Sequence, residues 1–148
     1  MPLIRFKIPG VVRGKGRPRF ARRGQYVKTY TDKDTELYEN WVKSCFIHSK
    51  LQAFEKDIPL YCQITVFCEI PESRSKKVKA KMANNEMKPT KKPDCDNIAK
   101  SILDGLNKIA FHDDTQISTL VVSKFYTTEE PYAVVTLCED TTKLEGLL

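Results

Sequence analysis

The chain has 148 residues, 25 Lys plus Arg against 19 Asp plus Glu, a formal net charge of +6 and 41% hydrophobic residues. That length predicts one domain with a core that needs neither disulfides nor a structural metal, and the hydrophobic share excludes disorder throughout. No apolar run nears the about 18 residues that span a bilayer, and Arg5 interrupts the first residues too early for a signal peptide, so a cytoplasmic protein without a membrane partner is expected.

The charge is segregated. Residues 1–31 hold nine basic residues and no acid, and residues 71–92 hold eight against two. Residues 93–148 reverse the balance, with four basic residues against ten acids. Cationic clusters of this size attract polyanions such as nucleic acid. The five cysteines, Cys45, Cys62, Cys68, Cys95 and Cys138, form no C-x-x-C pair. A zinc finger or disulfide framework is therefore not supported, and Cys62 and Cys68 read as small buried hydrophobes.

In chain order, Leu3 to Ile8 alternates as a half-buried strand. Residues 9–28 form a basic N-terminal element, in which Gly10, Gly14, Gly16, Pro9 and Pro18 argue against helix. Arg22-Arg23-Gly24-Gln25 is a hairpin tip, with Tyr26 to Tyr30 returning. Acids at Asp32 and Asp34 open an amphipathic helix reaching about Lys50. Its apolar face is expected to include Leu37, Trp41 and Cys45 beside Tyr38, Val42 and Phe46, with Trp41 in the core. Leu60 to Ile70 is the clearest strand, because Leu60, Cys62, Ile64, Val66, Cys68 and Ile70 share one face. Residues 71–92 read as a mobile cationic loop with a short helix around Lys76 to Ala83. Ile98, Ile102 and Leu106 mark a second main helix, about Asn97 to Lys108. Ile117 to Tyr126 and Tyr132 to Cys138 are two strands joined as a hairpin through Thr127 to Pro131. The sum is one α+β domain over residues 1–148, with a mixed sheet and two main helices.

The acidic motif, residues 93–117, carries the chemistry. In an extended stretch Asp94 and Asp96 point to the same side. Asp96 is placed to cap the following helix, and Asp96, Lys100 and Asp104 recur every four residues on the side opposite the apolar stripe. A return of the chain would bring Asp113-Asp114 near them. Gathered carboxylates repel unless a positive ion binds them, and an all-oxygen set suits Mg²⁺, with Mn²⁺ substituting. Such an ion activates water and neutralises a phosphodiester in its transition state, and Lys100 would act on the same phosphate. Each feature also has a plain structural explanation: a helix cap, a salt-bridge ladder, a polar turn. A non-catalytic nucleic-acid-binding module and a small-nucleotide phosphoesterase thus remain as alternatives. The cationic segments weaken the second, since a small substrate needs no charge spread over two regions.

Lys92-Pro93-Asp94-Cys95-Asp96-Asn97-Ile98-Ala99-Lys100, then Leu103-Asp104-Gly105-Leu106-Asn107, then Asp113-Asp114-Thr115-Gln116-Ile117, resembles the signature of the RusA-like Holliday junction resolvases. Gly14-Lys15-Gly16-Arg17-Pro18-Arg19 is similar to the basic N-terminal element of phage-type members. The resemblance implies a homodimeric endonuclease, phage- or prophage-carried, that acts in DNA recombination and repair. Its substrate would be branched DNA, a four-way junction nicked in symmetric pairs with Mg²⁺ and no small-molecule cofactor. By position it implies metal ligation by Asp94, Asp96 and Asp114, with Asp113 as the first of the acidic pair, and Lys100 as the catalytic lysine. Arg13, Lys15, Arg17 and Arg19 would grip the DNA backbone, helped by Lys76, Lys77 and Lys79. The long lysine segment has no fixed family pattern, so base preference at the cut stays open.

Overall fold

The computed structural model describes residues 2–16, 19–30 and 32–148, and the side chains of these except Arg19, Arg23 and Tyr30. Strand β1, Ile4–Pro9, buries Ile4, Phe6 and Ile8 and exposes the residues between. Strands β2, Arg19–Arg23, and β3, Tyr26–Tyr30, form a separate two-stranded ribbon. Helix α1, Lys33–His48, leads to β4, Leu60–Glu69. Then come α2, Lys76–Ala83, and α3, Cys95–Leu106. A 3-10 turn at Asp114–Gln116 opens β5, Ile117–Thr127, and β6, Tyr132–Glu139, ends the sheet. The fold is a single α+β domain with three α-helices among the described residues, the two main ones expected and the short α2 at the expected Lys76 to Ala83.

The main sheet runs β1-β6-β4-β5 and is mixed: β4 and β5 are parallel, while β1, β6 and β4 pair antiparallel. The expected β5–β6 hairpin is therefore corrected, because β4 lies between the two strands. The reason is burial. Leu60, Cys62, Ile64 and Val66 of β4 are fully or almost fully buried, so this strand takes the centre and pairs on both sides. β5 carries Ser118, Thr119 and Lys124 and exposes Leu120 and Val121, which suits an edge.

Helices α1 and α3 share the core with the buried face of the sheet. Tyr38, Val42 and Phe46 come from α1, and Ile98, Ile102 and Leu106 from α3. The helices approach closely at Gly105, where a Cβ would lie 2.8 Å from the Glu39 carbonyl oxygen and 2.9 Å from the Val42 Cβ. Trp41 is not in the core: it is 46% exposed. The row Thr35, Tyr38, Val42 and Phe46 faces inward, which turns Leu37 and Trp41 outward. There the indole N–H donates to the Pro9 carbonyl at 2.8 Å, a partner the apolar core lacks.

Residues 71–92 contain the short helix expected there. Ser75 caps α2, its hydroxyl accepting from the Val78 N–H at 3.3 Å, and Met82 is the buried residue of that helix. No described helix is long and apolar enough to cross a membrane.

Candidate active site

The acidic motif enters α3 through Pro93. Asp94, not Asp96, occupies the N-cap, and Asp96 falls in the first turn. The helix begins two residues earlier than its apolar stripe suggests, because the Ile98 N–H already bonds the Asp94 carbonyl at 3.0 Å. Asp94 uses its side chain elsewhere: its Oδ1 accepts from the Asn97 amide at 2.7 Å. The Asp94 carboxyl sits below the usual carboxylate range, first because the Asp96 carboxyl lies within hydrogen-bonding reach, then through Asn97 and the charge of Lys124. Lys100 is exposed one turn further along α3.

A strap of basic sequence, residues 11–16, is fastened over this helix. The Ser101 hydroxyl donates to the Arg13 carbonyl at 2.7 Å, and the Lys15 N–H donates to the Asn97 carbonyl at 3.1 Å. Between them Gly14 lies against the motif itself: a Cβ there would stand 2.9 Å from Pro93 Cβ and 3.2 Å from Asn97 Cβ. The Gly16 N–H donates to the Thr35 hydroxyl at 2.8 Å, tying the strap to α1.

Lys15, expected on the DNA, has its ammonium between Glu39, 2.6 Å away, and Asp104, 2.8 Å away. Burial alone would lower its pKa, but the two carboxylates outweigh that and raise it. Asp104 is thus engaged by the strap. Arg13 is exposed. Arg17 lies outside the described residues, as does the side chain of Arg19. Lys76 and Lys77 are exposed on α2, and Lys79 meets Glu72 at 3.3 Å, a surface pair of small energetic weight.

Asp113 caps the 3-10 turn in a reciprocal box with Gln116. Its carboxyl is held low, first by the Thr115 hydroxyl at 2.7 Å, then by Lys108, 3.7 Å away. Gln116 also donates to the carbonyls of Glu55 and Ile58 at 2.9 and 3.1 Å, which fixes the turn. Asp114 is half-buried beside it, and His112 is exposed. The structure therefore brings Asp94 and Asp96 together but does not gather Asp114 with them: among the described residues, no three Asp, Glu, His or Cys side chains form a group able to hold a metal.

Two neighbouring carboxylates favour a cation between them, and their oxygens suit Mg²⁺. That ion is commonly held by one or two carboxylates, water and substrate phosphate. The pair fits such an ion.

Lys124 of β5 escaped the sequence reasoning. Its ammonium donates to the Lys91 carbonyl at 2.9 Å and the Pro93 carbonyl at 3.0 Å, so it holds the entry to α3. The available signal was one cation inside the largely apolar run Val121-Val122-Ser123-Lys124-Phe125-Tyr126.

The strap and the acidic helix both lie within the stretch that known proteins match. The chain is 32% identical over 141 residues to the uncharacterized protein YqaN of Bacillus subtilis (strain 168), covering 94% of this chain and 98% of that protein. The pattern described as Endodeoxyribonuclease RusA matches residues 9–138, from the end of β1 through the strap and the acidic helix into β6. With a match that spans most of the fold and contains the whole acidic motif, the chain belongs to the RusA endodeoxyribonuclease family.

Proposed function

We propose that this protein is a metal-dependent endodeoxyribonuclease that resolves four-way DNA junctions in recombination and repair. The observation that supports the reading is the seating of Gly14 on Pro93 and Asn97, which sets the segment carrying the exposed Arg13 beside the turn that holds Asp94 and Asp96. Polyanion binding and a carboxylate pair then share one surface. A non-catalytic binding module would need the cations but not two acids that repel the same phosphates.

Asp94 and Asp96 would hold Mg²⁺, or Mn²⁺, with Asp114 as the proposed third ligand. The ion supplies an activated water and charge neutralisation at the phosphodiester. Asn97 donates to the Asp94 carboxyl and aims it. Lys100 is assigned to the developing charge on the phosphate. Arg13, Arg17 and Arg19 are assigned to the DNA backbone, with Lys76, Lys77 and Lys79 on a second contact. Lys15 fixes the strap instead, through Glu39 and Asp104. Asp113 serves the turn that carries Asp114.

Paired nicks on a two-fold substrate require two sites, so we assign the working form as a C2 homodimer in the bacterial cytoplasm. Light scattering should give about 34 kDa, twice the 17.0 kDa of one chain. The deciding experiment is cleavage of a synthetic four-way junction with and without Mg²⁺. Paired symmetric nicks that need the metal support the reading; binding without cleavage in any divalent ion overturns it in favour of the binding module.

A further inference from the structure

Beyond Arg19 at its first position, the β2–β3 ribbon has no role in the reading above, yet it has an unusual surface. Among the described residues it pairs with itself and joins no larger sheet. In its register Phe20 faces Thr29 and Arg22 faces Val27, so these four share one face, while Ala21, Tyr26 and Lys28 share the other. Phe20 is 70% exposed, Val27 62% and Tyr26 80%. Each face thus offers an aromatic ring to solvent. Residues 19–30 contain Arg19, Arg22, Arg23 and Lys28 and no acid. Two-stranded hairpins are marginal alone, and an aromatic ribbon with both faces bare invites a partner on each.

The described segments on either side of the ribbon meet near the acidic motif: Gly16 of the strap bonds Thr35 of α1, and Gly16, Asp32 and Pro93 line one cleft. Arg19 is three residues beyond Gly16, a reach of at most about 11 Å. A surface for a protein partner, or for a second copy, would present one apolar face. This ribbon presents aromatics on two, between cations.

We propose that the ribbon enters the branch point of the DNA and that Phe20 and Tyr26 stack on the base pairs that end neighbouring arms. A branch point exposes base-pair faces that continuous duplex hides, and a two-stranded ribbon is thin enough to lie between duplex walls. Aromatic stacking tolerates any sequence, so the ribbon reads branched structure while the cations read charge. This rests on the nuclease reading above and adds the residues that select the substrate.

The test uses the full chain carrying F20A and Y26A together, with four-way junction and linear duplex of the same arm sequence. One junction carries 2-aminopurine at the branch, another carries it inside an arm. With Mg²⁺ absent, wild type should change the fluorescence of the branch probe and leave the arm probe unaltered. In the double variant the branch signal should vanish and the ratio of junction to duplex affinity should fall about ten-fold. The salt slope of binding and the mass in light scattering should stay as in wild type. F20Y with Y26F should keep both ratio and signal. A ratio within two-fold of wild type, or a shift in oligomeric state, overturns the proposal, the latter by making the ribbon a contact between copies. If wild type itself neither prefers junctions nor cleaves them with metal, the nuclease reading fails and the ribbon proposal falls with it. A junction-selective wild type with an equally selective variant overturns the ribbon alone.

Discussion

Lys124 reaches from the edge strand β5 to the backbone of Pro93, its ammonium 3.0 Å from the carbonyl that precedes the Asp94–Asp96 pair. The same ammonium bonds the Lys91 carbonyl, so one side chain closes the turn into the acidic helix. K124M removes both bonds and leaves two carbonyls without a donor. It should lower stability by about 1–3 kcal/mol and cut cleavage at least ten-fold while leaving junction affinity near wild type. K124R should restore part of both. Thermal melting and single-turnover cleavage are the measurements, and wild-type cleavage in K124M would remove Lys124 from the site.

The acidic pair separates binding from chemistry. D94N keeps shape and removes a negative charge facing phosphate. Metal-dependent cleavage should be lost, and junction affinity without metal should equal or exceed that of wild type. K100A should also lose cleavage but should not bind more tightly, since it removes a positive charge. D96N offers the sharper comparison, because Asp96 is not the cap of α3 and its melting temperature should barely move. A D96N enzyme that cuts at the wild-type rate would end the metal assignment.

Lys15 should behave as a structural cation. K15M leaves Glu39 and Asp104 unpaired in a partly covered site, and a loss of about 1–3 kcal/mol is expected. The pH dependence has a definite sign. The folded-state pKa is raised above the ordinary 10.5, so the contribution is complete below the unfolded pKa and fades as pH rises through the folded one. The melting gap between wild type and K15M should be constant from pH 7 to about 9 and should narrow above about 10.5. A gap unchanged at pH 11 would assign the loss to packing of the lysine stem.

The remaining cations should show in the salt dependence. Log binding constant against log salt falls by about 0.9 per phosphate neutralised on duplex arms. R17A with R19A should flatten that slope by nearly two such steps, whereas K15M should leave it unchanged. Replacing Lys76, Lys77 and Lys79 tests α2 in the same titration. An unaltered slope in the folded Arg17/Arg19 variant would take those residues off the DNA.

Local pattern carried much of this protein. The alternation in β4, the helical recurrence of Ile98, Ile102 and Leu106, and the turn at Gly24 are all short-range signals, and the structure has each of them. Pairing partners are not local. β5 and β6 are adjacent in sequence, but β4, with its inward face buried, fills the position between them. Trp41 fits the apolar side of α1 by spacing, yet the polar demand of its indole is met only at the surface, by Pro9. In the site, the acidic residues stand together in sequence and were legible. The partners of Lys15, 24 residues away at Glu39, and the reach of Lys124 across 31 residues to Pro93 depend on tertiary packing.

The parallel pairing of β4 and β5 has a consequence for how such a chain diversifies. Two neighbouring strands running the same way require the polypeptide to travel back past the sheet between them, and here that return journey is residues 70–116, which contain α2 and α3. The lysine-rich helix and the acidic helix are consecutive stations on one excursion, with the first anchored by Met82 and the second by the core. Residues 84–91 between them carry no register of the sheet. Lengthening residues 84–87, ahead of the Lys88 contact with Phe125 and the Lys91 carbonyl that Lys124 bonds, would leave every strand pair in place. The crossover is thus a replaceable cassette: the sequence between its two helices can change while the pairing of the strands is kept.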